Sequence, residues 1–292
     1  MLNSKGQTTL FVILGIAIVA AVFIVLFFMP QITKLTMGEE QARKIISAEK
    51  GNVENYIKDC VTTSAIKNIN TLGRQGGRIM QDEEHFSLPI EYMQDVTVIN
   101  YAYYYNKNMG SYVNELPTLA EMKEELVTAF MIDSDLMNCL KLEPFEKKFF
   151  LSTSYLDINP DNMVLGETNG KITIPFSYPV ILSLGGVTSS MNVFSVTIPI
   201  NLYKVRSITG AVVNNVANGG SLTAVQRDVA LAQALELRAN PYSERIAIDA
   251  INYNWVPSDS DLYNTKNTFY TITYEATGLE KPFIFNFLIG KE

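Results

Sequence analysis

Apolar residues fall into three patterns along this chain. From Leu10 to Met29, twenty residues run without a charged side chain. A helix of that length spans about 30 Å, the thickness of a hydrocarbon layer, so the spacing predicts a transmembrane helix over 7–33. The run ends in Phe27-Phe28-Met29-Pro30 with no small-x-small site, so it is not an ordinary cleaved signal. Residues 39–72 then carry apolar groups at Val53, Tyr56, Ile57, Cys60, Val61, Ala65, Ile69 and Leu72, the one-sided stripe of an amphipathic helix. From Lys171 the period shortens to two, the mark of strands.

Punctuation refines these elements. Gly73 ends the first soluble helix, and Gly76-Gly77 supplies a turn that needs positive φ. Thr118 and Glu121 form a capping box after Pro117, and Leu119, Met122, Leu126, Ala129, Phe130, Met137 and Leu140 line one side of a second helix. Between the helices, "VTVINYAYYYNKNMGSYV" reads as a strand or hairpin. Its tyrosines at 101, 103, 104 and 105 suit packing on the helices, or a sugar- or protein-binding surface.

Gly185-Gly186 reads as a hairpin turn between strands in "KITIPFSYPVILSL" and "VTSSMNVFSVTIPINLYKV", with Pro175, Pro179 and Pro199 pushing several strands to edges or bulges. "SERIAIDAINYNWV" and "NTFYTITYEATGLEKPFIFNFLI" add three more strands. One Ala-rich helix, opening on Thr223 and Gln226, interrupts them. The predicted class is α+β: an N-terminal transmembrane helix extending into a helical region, then a mainly antiparallel β-rich C-terminal domain with one inserted helix. The expected divisions are 1–6 as a candidate leader, 7–33 as the span, 34–150 as a helical stalk with a short strand region, and 151–292 as an extracytoplasmic β-rich domain.

Composition narrows the chemistry. The net charge of the 292 residues is −7, with no Lys/Arg run, which disfavours nucleic acid. One histidine and two cysteines cannot make an ordinary zinc site, and a histidine-based hydrolase would have to use His85, in the loop-like "DEEHF". "RQGGR" follows a helix rather than opening one, so it is a helix stop and not a phosphate loop. No enzyme is expected. Cys60 and Cys139 both lie on or beside apolar stripes, and a disulfide between them is expected if the folded part is outside the cell. Closing a loop of that length stabilises by about 4 kcal/mol. "DINPDNMVLGET" sets Asp157, Asn159 and Asp161 at positions 1, 3 and 5 of a calcium-type loop, although Asn162 and Thr168 stand where such a loop has Gly and Glu. A solvated turn is the alternative for that stretch, and "PSDSD" (257–261) is a weaker acidic candidate.

"KGQTTLFVILGIAIV" resembles an archaeal type IV pilin-like leader of the class III kind. The resemblance implies cleavage between Gly6 and Gln7, with the apolar run kept as an assembly helix. The family often has Glu at the fifth mature position, where this chain has Phe11. "VENYIKDCVTTSAIKNINTLGRQGGRI" and "LPTLAEMKEELVTAFMIDSDLMNCL" are similar to uncharacterised single-pass surface proteins of small-genome archaea, a group that implies location and architecture rather than activity. The expectation is a membrane-anchored structural or adhesive surface protein, extending to a pilin-like filament subunit. Its N-terminus would be inside and its C-terminal domain extracellular. Its partners would be the lipid bilayer and other copies of itself or surface proteins. The alternative is a stalked module binding a sugar, a peptide or calcium.

Overall fold

The computed structural model describes residues 14–24, 34, 37–80, 87–92, 95–106, 109, 111–239, 244–253 and 266–291. Gly6, Gln7 and His85 lie outside them. Residues 14–24 are helical, uncharged and exposed at every position. Among the described residues no helix is long and apolar enough to cross a membrane. The expected transmembrane helix, and with it the single-pass anchoring, are therefore not supported.

The class is α+β with a mixed sheet. In chain order the elements are α1 (Glu39–Arg74), β1 (Ser87–Tyr92), β2 (Asp95–Asn106), β3 (Ser111–Asn114), α2 (Leu119–Ile132), α3 (Ser134–Cys139), α4 (Glu143–Glu146), β4 (Phe150–Thr153), a 3-10 turn (Pro160–Asn162), β5 (Val164–Leu165), β6 (Ile172–Leu184), β7 (Val187–Ile198), α5 (Leu202–Ala217), α6 (Leu222–Ala239), β8 (Arg245–Tyr253), β9 (Lys266–Glu275) and β10 (Phe283–Lys291). One sheet has the order β1-β2-β10-β9-β8, with β3 also on β2, and in the other β4, β5 and β7 each pair with β6. The pairing is mainly antiparallel, as expected, but the sheet is mixed: among the described residues β10 runs parallel to β2, with Leu288 opposite Tyr101. β10 sits between β2 and β9, and its "FIFNFLIG" is buried nearly throughout, as a strand covered on both faces requires.

Two compact units emerge, each assembled from three separate stretches of chain. The first comprises the described residues of 1–57, 139–155 and 178–193. Here Ala42, Ile46, Val53 and Ile57 form the buried stripe of α1. The Lys34 ammonium is buried, donating to the carbonyls of Glu146 and Phe149 at the end of α4 and lying 5.0 Å from the centre of the Phe150 ring. Gly185 and Gly186 both take positive φ, the two-residue turn that β6 and β7 need.

The second unit comprises 58–138, 156–177 and 194–292. Its core holds Val61, Ala65, Ile69 and Leu72 of α1, Met122, Leu126 and Phe130 of α2, and Phe283, Phe285 and Phe287 of β10. α1 ends where the glycines predict, because its last turn sits directly on the sheet. A Cβ at Gly73 would meet the Ile284 carbonyl oxygen at 2.5 Å. The freed carbonyls of Arg74 and Gln75 accept from the side-chain amides of Asn286 and Asn100. The capping box of Thr118 and Glu121 forms as expected.

Three details differ from expectation. Pro175 and Pro179 lie inside β6, not on an edge strand. They fall between the residues that pair with β5 (172–173) and with β4 (180–183), where a missing N–H costs no ladder bond to either strand. The C-terminal half contains two helices, not one. α5 occupies a stretch taken for strand and loop, and its buried Leu202, Val205, Thr209, Val212, Val213 and Val216 recur at helical spacing. Ser221, not Thr223, heads α6, its hydroxyl accepting from the Thr223 N–H at 3.2 Å.

Candidate functional site

The second unit has an open groove of about 1050 Å³ between α5 and α6. Its origin is local. α5 turns Tyr203, Ser207, Ala211 and Asn215 toward it, four residues apart and so on one stripe; α6 answers with Val225, Asp228, Val229 and Ala232. Ser207, Ala211 and Ala232 are too short to fill the space between two helix axes, and close packing lapses there. Ile208, Val225 and Ile246 supply apolar lining.

One end of the groove is polar and ordered. Asn201 caps α5, its side-chain oxygen accepting from the Lys204 N–H at 2.9 Å. The loop beneath can approach because residue 166 is glycine: φ is +113°, and a Cβ would meet the Asn201 side-chain oxygen at 2.5 Å. The Lys204 ammonium pairs with Glu244 at 3.1 Å, and Glu167 pairs with Lys123 at 3.3 Å. Behind them the Tyr274 hydroxyl is buried without a hydrogen bond of ordinary geometry. Burial, and then the nearby Glu244 carboxylate, push its ionisation far above the usual range.

A second polar cluster is structural. Ser64 of α1 donates to Asp133 at 2.6 Å, and Lys67 bridges Asp133 and Asp135. Asp133 also accepts from the N–H groups of Asp135 and Leu136, so it opens α3. Burial pushes the Asp133 carboxyl up, but the Ser64 hydroxyl, the Leu136 N–H and Lys67 outweigh it and hold the carboxyl below its ordinary value. Four residues before Ser64, Cys60 forms the disulfide with Cys139.

The calcium-type loop is used differently. The Asn159 side-chain oxygen accepts from the Asp161 N–H at 2.9 Å and caps the 3-10 turn, while the Asp157 backbone bridges to Ser177. Among the described residues no group of three or more His, Cys, Asp or Glu converges as a metal site would. Of the tyrosines, Tyr101 and Tyr104 are core residues, edge-to-face at 5.9 Å, whereas Tyr103 stacks on Tyr112 across β2 and β3 at 5.1 Å.

Sequence reasoning missed the groove because it missed α5. Its signal was present in the helical spacing of Leu202, Val205, Thr209, Val212 and Val216, preceded by a capping Asn201. No protein-family model, curated protein or solved structure matches the chain.

Proposed function

We propose that this chain acts by binding rather than catalysis, in an oxidising compartment, with the α5–α6 groove as its ligand site. The groove itself carries the reading. Its volume suits a small ligand or a short peptide segment. Its apolar lining is ringed by uncharged donors and acceptors, Asn201, Ser207, Asn215, Gln233 and the half-exposed Tyr203, together with the Asp228 carboxylate, which lies 3.6 Å from the Arg227 guanidinium. Such a lining fits an uncharged polar ligand with an apolar face, a sugar or a peptide backbone. Lys204, Glu244 and Glu167 are held in ion pairs, an arrangement suited to shaping a site. The disulfide is consistent with an oxidising compartment.

The test is a thermal-shift screen of the full chain against a library of glycans and short peptides, repeated on Ala211→Trp, which fills the groove. Hits that stabilise the parent protein and lose their effect in the variant support the reading. Hits that stabilise both equally, or an absence of hits, overturn it.

A second reading, structural self-assembly of the pilin-like kind, is favoured by one observation. Residues 14–24 are uncharged and exposed all round, with Ile16 at 65% and Phe23 at 69%. Sedimentation of the full chain with Ile16→Glu and Val19→Glu tests it. Assemblies that fall apart in the variant support this reading, and unchanged sedimentation refutes it.

A further inference from the structure

β8 ends its sheet, and its outer edge is guarded by side chains. The Gln226 amide of α6 donates to the Ile248 carbonyl at 2.8 Å, and the Gln233 amide donates to the Ile246 carbonyl at 2.9 Å. Those bonds identify Ile246 and Ile248 as the residues whose backbone groups point away from β9, since the direction alternates along an antiparallel strand. An edge strand covered in this way is withheld from pairing. The cover is light. Of the α6 side chains described, over 222–233, only Val225 is buried. The helix follows Gly219 and Gly220, the first at φ +74°.

The guarded edge is complementary to itself. An antiparallel pair with its two-fold at Ala247 sets Ile246 opposite Ile248 of the partner subunit, in the register where the two residues exchange both backbone hydrogen bonds. On the exposed face it sets Arg245 opposite Asp249 of the partner subunit, twice by symmetry. Within its own sheet Arg245 already lies opposite Glu275. The row of charges would therefore alternate across the junction as Glu, Arg, Asp, the favourable order for cross-strand neighbours. Ile246 and Ile248, each 7% exposed now, would cover each other once α6 withdraws.

We propose that β8 is a dimerisation edge for a second copy of this chain, joined antiparallel about Ala247, and that α6 is the strap whose two glutamines hold it closed. This goes beyond ligand binding in the groove. Opening the strap breaks two amide bonds per copy, each worth roughly fivefold in an equilibrium constant. Removing all four in a dimer should tighten association several-hundredfold.

The experiment is site-directed crosslinking of the full chain. Cys60 and Cys139 are paired, so an added cysteine is the single free thiol of each copy. Residues facing each other in the close pairs of an antiparallel ladder lie about 4.5 Å apart at Cα, within disulfide reach. Ala247→Cys should therefore crosslink to itself under mild oxidation, and Asp249→Cys, far from its own symmetry mate, should not. Adding Gln226→Ala and Gln233→Ala should raise the Ala247→Cys yield at low protein concentration. Arg245→Asp should abolish it, and Arg245→Asp with Asp249→Arg should restore it. Equal crosslinking at 247 and 249, or failure of the reciprocal swap to restore the link, overturns the proposal. Association through residues 14–24 or ligand binding in the groove would not reproduce this position dependence.

Discussion

Removing the Cys60–Cys139 disulfide should lower stability sharply and in a way tied to its neighbours. The bond joins α1 to the end of α3 and closes a loop spanning 79 positions. Loop-closure entropy for that length gives about 4 kcal/mol. For a folded region of this size, each kcal/mol moves the melting temperature by about 2–4 °C, so reduction should cost roughly 8–16 °C. The native contacts should limit the loss only slightly, because one helical turn on, Ser64 and Asp133 make a buried hydrogen bond at 2.6 Å. The assay is thermal unfolding by circular dichroism of the full chain, with and without reductant, and of Cys60→Ser/Cys139→Ser. Cys60→Ser/Cys139→Ser and Ser64→Ala should be coupled, since both loosen the same junction. A shift under 3 °C on reduction, or strict additivity of the two changes, would refute the reasoning.

Further outcomes follow from the same geometry. Asp133→Asn should cost about 3 kcal/mol, because it removes a buried carboxylate with several donors, and chemical denaturation measures it. Since the folded carboxyl titrates below its ordinary value of 3.8, its stabilisation is present above that pH and fades as pH falls through the lower folded value. At the alkaline end, burial raises Tyr101, Tyr178, Tyr270 and Tyr274 above 10. The unfolded chain then loses these protons first, so stability should decline from about pH 10 upward, less steeply in Tyr274→Phe. EDTA should leave the melting temperature unchanged, as among the described residues no three His, Cys, Asp or Glu side chains converge to hold a metal; a drop restored by calcium would contradict that.

Much of the fold could be read from single residues. Gly73, Gly76 and Gly77 marked the end of α1 because backbone and ring atoms leave no room for a side chain there. Thr118 and Glu121 announced α2 because the capping box is a local device. Cys60 and Cys139 stood on apolar stripes and proved to be paired. What escaped depends on distant partners. α5 carries four valines, two asparagines, a threonine and a glycine, residues of poor helix propensity, and it is helical because one face packs into the core. Nothing in β10 alone says that it pairs parallel to β2. Gln226 looked like a capping residue, yet its amide reaches 22 positions onward to β8. The twenty-residue apolar run suggested a membrane span by length, but among the described residues no helix is long and apolar enough to be one. The groove arises from small residues facing each other on two helices, a pairing visible only after folding.

Ligand binding between α5 and α6 can be read residue by residue. The most direct measurement is backbone amide NMR of the full chain, titrated with the strongest hit from the glycan and peptide library. Saturable shifts are expected at Tyr203, Ser207, Ala211, Asn215 and Val229, all absent in Ala211→Trp. Shifts confined to other surfaces, or surviving the filled groove unchanged, would contradict it.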